Sequence, residues 1–201
     1  MHRVGFVALP LFLLCAIALA GEQPESYWRK YHRGMKEPSL RSGKLRDDEF
    51  AFRWTRLSNS GEPLAIRIWC HDGETRCRSV RLAYRLDFSI GPITADKTTK
   101  LSPSQNRELR SYLSRHDLWC ALSPQEQAMQ NRFLGGAHWL FEVEDRSGYR
   151  FVSLFSPALL TASSRSKDTL RGMRNVEGYL SLATFLLRLT RVFPDETQVA
   201  Y

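Results

Sequence analysis

The chain has 201 residues, 43% apolar, 11% aromatic and 25% charged, with a net charge of +8. That is an ordinary globular composition, and it excludes a collagen-like chain, a coiled-coil rod and a wholly disordered polymer. A body of this length buries about two-thirds of its unfolded surface and can hold a core of its own.

Residues 1–20 read as an export signal. Arg3 supplies the positive start, an apolar run extends from Val4 to Ala20, and Ala18-Leu19-Ala20 is a small-x-small cleavage site. The alternative is an uncleaved anchor, but about 17 apolar residues is the short limit for crossing a bilayer. Cys15 follows Leu14, where a lipoprotein signal needs a small residue. The later apolar stretch Tyr179 to Leu189 is short and contains Arg188. The expected location is the bacterial periplasm, with release from the cell as the alternative and any membrane contact peripheral.

The positive charge is concentrated in residues 28–46. Arg29, Lys30, Arg33, Lys36, Arg41, Lys44 and Arg46 stand there against Glu37 alone. Residues 21–48 read as a basic, irregular arm with one helical turn near Ser26 to Arg33. Trp28, Tyr31 and His32 are interleaved with these cations. Such a mixture suits phosphate or an anionic surface. Export argues against nucleic acid. An unidentified protein or an anionic envelope component is the expected partner, unless the arm is only a solvated linker.

The folded body is expected over residues 49–193, followed by a polar tail over 194–201. Phe50, Phe52 and Trp54 alternate with Ala51, Arg53 and Thr55, a strand pattern. Leu64, Ile66 and Ile68 alternate next. Val80, Leu82, Tyr84, Leu86 and Phe88 form a third run ended by Gly91-Pro92. Ser102-Pro103-Ser104-Gln105 is a capping-box start for a helix reaching about His116. Ser123-Pro124-Gln125-Glu126 starts a shorter one. A hairpin follows, with Trp139, Phe141 and Val143 answered by Tyr149, Phe151, Ser153 and Phe155. Residues 157–175 form a polar loop, and Val176 to Phe193 an apolar helix. The order βββ-α-(α)-ββ-α predicts one α+β domain, an antiparallel sheet of about five strands with helices on one face.

Leu118-Trp119, Gly136-Ala137-His138-Trp139, Glu142, Tyr149 and Ser156-Pro157 resemble a group of exported proteobacterial proteins over residues 95–157. This chain carries Gly135-Gly136 where that pattern has Asp-Gly. The resemblance implies export and no activity.

Cys70, Cys77 and Cys120 remain after signal removal, an odd count for an oxidising compartment. A Cys70–Cys77 staple leaves Cys120 free, and a bridge from either to Cys120 is the alternative, as is none. Parity opposes the staple. Cys70 shares the face of Ile66 and Ile68, whereas Cys77 has the opposite parity from Val80 and Leu82. Paired residues must share a face, so a four-residue loop and a bulge would be needed.

No catalytic set stands out. There is no G-x-S-x-G elbow, H-E-x-x-H or phosphate loop, and no motif implies a cofactor or metal. The hydrolase candidates are His138 with Glu142, and Ser164 with Lys167. The carboxylates and imidazole of His71, Asp72 and Glu74 share one turn. The candidate binding residues are Trp28, Arg29, Tyr31 and Arg33 in the arm, and Trp69 beside Arg67 on the sheet. The expected function is a non-enzymatic exported module that binds a macromolecular partner, as an inhibitor or immunity-type protein. A structural protein held on the envelope by its basic arm is the alternative.

Overall fold

A computed structural model describes residues 25–41, 45–46, 49–58, 61–87, 89–115, 119, 136–155 and 174–191. The signal segment, Cys120, the Ser123 helix start, Ser164, Lys167 and the polar tail lie outside them.

The elements in chain order are α1 (Glu25–Gly34), β1 (Phe50–Ser58), β2 (Leu64–His71), β3 (Glu74–Leu82), β4 (Ile93–Lys100), α2 (Pro103–Leu113), β5 (Ala137–Asp145), β6 (Gly148–Phe155) and α3 (Arg174–Thr190). The strands form one antiparallel sheet in the order β4-β3-β2-β1-β5-β6. The α+β class and antiparallel sheet are as expected, but the sheet has six strands rather than five.

The additional strand is β4, ITADKTTK. Threonines and Ile93 favour extended backbone. The charges of Asp96, Lys97 and Lys100 suit a sheet edge, where they discourage pairing with another chain.

The third strand is displaced from its expected place. It starts at Glu74 and ends at Leu82, and the apparent alternation over residues 84–88 lies beyond it. Leu86 is 84% exposed and Tyr84 only half-buried, so these two do not form a buried strand face. The chain doubles back at this point. Ala83 N–H donates to the Pro92 carbonyl at 2.8 Å, and a Cβ on Gly91 would fall 2.2 Å from the Ala83 oxygen. Only glycine permits that approach.

Both faces of the sheet carry a core, which corrects the expectation of helices on one face. On the first, Phe52, Trp54, Ile66, Ile68, Trp139 and Phe141 pack beneath Leu109 of α2 and Tyr179, Leu182 and Leu186 of α3. Trp54 and Trp139 meet edge to face at 5.0 Å, and Phe141 reaches Tyr179 at 5.1 Å. The capping box of α2 is present as read: Gln105 N–H donates to Ser102 Oγ, and Ser102 N–H donates to Gln105 Oε1.

On the second face, Leu57, Ala65, Val80, Leu82 and Leu140 meet Trp28, Tyr31 and Met35. Residues 25–41 are therefore not an irregular arm. They form a ten-residue helix and a strap docked on the sheet. Trp28 and Tyr31 of α1 and Met35 just after it recur at helical spacing on one side, while Arg29, Lys30 and Arg33 face outward. Burying each large side chain contributes roughly 1.5–3 kcal/mol. The domain boundary at residue 49 thus moves back to include α1.

The second core also removes the parity conflict at the cysteines. Asp72 and Gly73 have φ of 51° and 72°, the two positive angles of a tight two-residue hairpin. That turn pairs Cys70 with Thr75 and Ile68 with Cys77. Cys70 and Cys77 both face the first core, while Val80 and Leu82 face the second. No bulge is needed. The two thiols are diagonal rather than opposed, and both are free. Diagonal Cα atoms lie roughly 7–8 Å apart, beyond the usual disulfide span of about 4.4–6.8 Å. The expected staple is therefore not formed.

Candidate functional site: a basic pocket between the N-terminal helix and the sheet

The face of the sheet under the N-terminal segment carries a row of charge. Glu142, Arg53, Arg67 and Arg78 are register partners across β5, β1, β2 and β3. Three neighbouring arginines repel, and the strap answers them with one carboxylate. Glu37 is wholly buried and accepts from Arg67 Nε at 2.8 Å and Arg78 Nη1 at 2.7 Å, with Arg53 Nη1 at 3.9 Å. Arg78 also grips Asp96 of β4 at 2.7 and 2.9 Å. At the other end, Arg53 donates through Nε and Nη2 to Glu142 at 2.6 and 2.8 Å, and through Nη1 to the Pro38 carbonyl at 2.8 Å. Tyr149 OH donates to Glu142 Oε1 at 2.8 Å. Burial and the Glu142 charge push that phenol above its ordinary range.

Next to this row is a cavity of about 740 Å³, within the range of organic-ligand sites. Trp28, Arg29, His32 and Arg33 of α1 line it, with Glu37 to Arg41 of the strap, Arg53 of β1, Leu140 and Glu142 of β5, and Tyr149 and Phe151 of β6. Four arginines face two carboxylates. The Arg41 guanidinium lies 4.6 Å from the Tyr149 ring centre, a cation–π contact. Phe151 is 45% exposed at the rim.

His32 is buried in the wall. Its Nε2 lies 2.9 Å from Thr55 Oγ1 and 3.8 Å from Glu142 Oε2. Burial, reinforced by Arg53 and partly offset by Glu142, lowers its pKa to about 4, so it is neutral at pH 7. His138 shares the face of Glu142, but its ring packs on Phe155 at 4.6 Å and burial lowers it to about 4. The proposed His138–Glu142 hydrolase pair is not assembled: Glu142 is committed to Arg53 and Tyr149.

Of the five binding residues expected from sequence, Trp28, Arg29 and Arg33 meet at the pocket. Tyr31 is buried in the second core. Trp69 is half-buried outside the pocket lining, with the Arg67 guanidinium 4.1 Å from its ring centre. Trp28 is 4% exposed and not a free anchor. Sequence reasoning missed Arg53, Glu142 as an ion-pair partner, and Tyr149. Arg53 and Glu142 each sit within an apolar alternation, the one available signal.

The hairpin turn holds a second polar cluster. Glu49, His71 and Asp72 bring ligand atoms within 4.8 Å of one another. Arg46 already bonds both Glu49 and Asp72. Its backbone N–H and guanidinium hold the Glu49 carboxyl down to about 2. Glu74 turns away to Arg76 and Lys100. A guanidinium in that position occupies the charge a cation would need.

No helix among the described residues is long and apolar enough to cross a membrane. No protein-family model matches the chain, and no curated protein is significantly similar to it.

Proposed function

We propose that the protein is an exported, non-enzymatic binding module whose pocket receives an anionic group from a macromolecular partner. The observation that supports this is the charge arrangement of the pocket. Glu142 accepts three hydrogen bonds from Arg53 and Tyr149, and Glu37 is held by Arg67 and Arg78. The carboxylates are neutralised within the wall, which leaves a cationic excess for a ligand of opposite sign. The reading of residues 1–20 as a signal supports the exported location.

Capture from a native envelope extract tests the reading, with wild type and an R29E/R33E variant as baits. A stoichiometric partner that survives high salt on wild type and is lost from the variant is expected. Identical captures by both would overturn it. A second reading, a protein held on the anionic envelope, draws on the outward row Arg29, Lys30 and Arg33. It predicts a broad set of anionic components, all released by salt.

A further inference from the structure

We infer that the pocket is a binding site for an amphipathic anion, a phosphate or carboxylate head on an apolar chain. This rests on the proposed anionic partner and names the chemistry of the group that enters.

The cavity has two kinds of wall. Trp28 and Leu140 give it an apolar floor, and Phe151 extends that surface to the rim. Arg33 and Arg41 line the same space. Arg33 is exposed and makes no side-chain hydrogen bond or ion pair among the described residues. Its guanidinium can therefore take a bidentate oxyanion without first breaking a pair among the described residues. A bare inorganic anion would leave the apolar floor wet. A cationic amphiphile would meet arginines, with both carboxylates already matched by arginines. An anionic head on an apolar chain satisfies both walls. At about 740 Å³ the space exceeds what a free phosphate needs and fits the usual range for organic ligands.

The test uses the purified protein and dodecyl phosphate below its micellar concentration, followed by calorimetry. Inorganic phosphate and dodecyltrimethylammonium are the controls. Saturable one-to-one binding of dodecyl phosphate is expected. It should weaken at least about tenfold in Arg33→Glu, a loss of about 1.4 kcal/mol, and also in Phe151→Ser. Inorganic phosphate should bind at least tenfold more weakly, and the ammonium amphiphile not at all. Absence of dodecyl phosphate binding, equal binding of the cationic amphiphile, or indifference to both substitutions would overturn the inference. Vesicles of phosphatidylcholine with and without phosphatidic acid separate the sources. Phosphatidic-acid-dependent pelleting, competed by dodecyl phosphate, assigns the group to a lipid. Monomer binding without pelleting assigns it to a free amphiphile. Partner capture that fails while dodecyl phosphate binds would overturn only the macromolecular reading.

Discussion

Arg53 of β1 and Glu142 of β5 face each other across the sheet, joined by two hydrogen bonds of 2.6 and 2.8 Å. Both are buried, and Tyr149 and the Pro38 carbonyl complete their shell. The pair ties the strap before β1 to the hairpin β5–β6, and so fixes the pocket wall. Removing one member of a buried pair leaves the other uncompensated, at a cost of about 3–5 kcal/mol. Glu142→Gln should lose that much in urea unfolding with an unchanged slope. Tyr149→Phe removes one hydrogen bond to the carboxylate and should cost about 1.5–3 kcal/mol at most. A larger loss in Tyr149→Phe than in Glu142→Gln would contradict this account.

Stability should fall on mild acidification. His32 and His138 have folded pKa values of about 4, below the ordinary 6.5. Above 6.5 each is neutral folded or unfolded. Between 6.5 and 4 the unfolded chain takes up protons that the folded chain refuses, so stability drops as pH falls. The loss is on the order of 3 kcal/mol per histidine once pH reaches the folded pKa. Glu49, held at about 2, contributes only below its ordinary 4.5. Unfolding midpoints at pH 7.5 and 4.5 measure the effect, and a His32→Gln/His138→Gln variant should flatten it. A profile already flat in wild type would be inconsistent with two buried neutral histidines.

The thiols of Cys70 and Cys77 should be inert in the native state. Both are buried and so shielded from reagent, and burial pushes Cys77 up to about 12, so that thiol offers almost no thiolate to react. Alkylation at pH 8 should label neither until urea is added. A Cys70–Cys77 disulfide peptide in the digest of unreduced protein would contradict the diagonal placement.

The helix α1 should behave as part of the fold. Trp28→Ala empties a buried aromatic site and should cost about 3–5 kcal/mol. Arg33→Glu lies on the outward face and should stay within about 0.5 kcal/mol of wild type. Thermal unfolding of the two variants makes the comparison, and a neutral Trp28→Ala would return residues 25–41 to the status of a linker.

Much of the sheet was legible because local rules act alone there. Ser102 and Gln105 form their capping box, and the hairpin around Arg146 and Ser147 forms. But Trp139, Phe141 and Val143 pair with Leu154, Val152 and Arg150, so the expected answering row Tyr149, Phe151, Ser153 and Phe155 lies on the other face. The second core was not legible. Alternation marks one buried face against one wet face, but here both faces are covered. Cys77 and Val80 thus looked contradictory while each was buried on its own side. The same covering hid the pocket. Arg53 reads as a solvent-facing residue between Phe52 and Trp54 until the α1 segment is placed over it. The basic residues of α1 drew attention to charge. The spacing of Trp28, Tyr31 and Met35 carried the helix.

The most direct test of the account is the place where an amphipathic anion binds. Amide and indole resonances of ¹⁵N-labelled protein would be followed by NMR during titration with dodecyl phosphate. Shifts concentrated at Trp28, Arg33, Leu140 and Phe151, saturating together, are the predicted result. Shifts scattered over surface lysines and arginines such as Lys97 and Lys100, with the Trp28 indole unmoved, would contradict it.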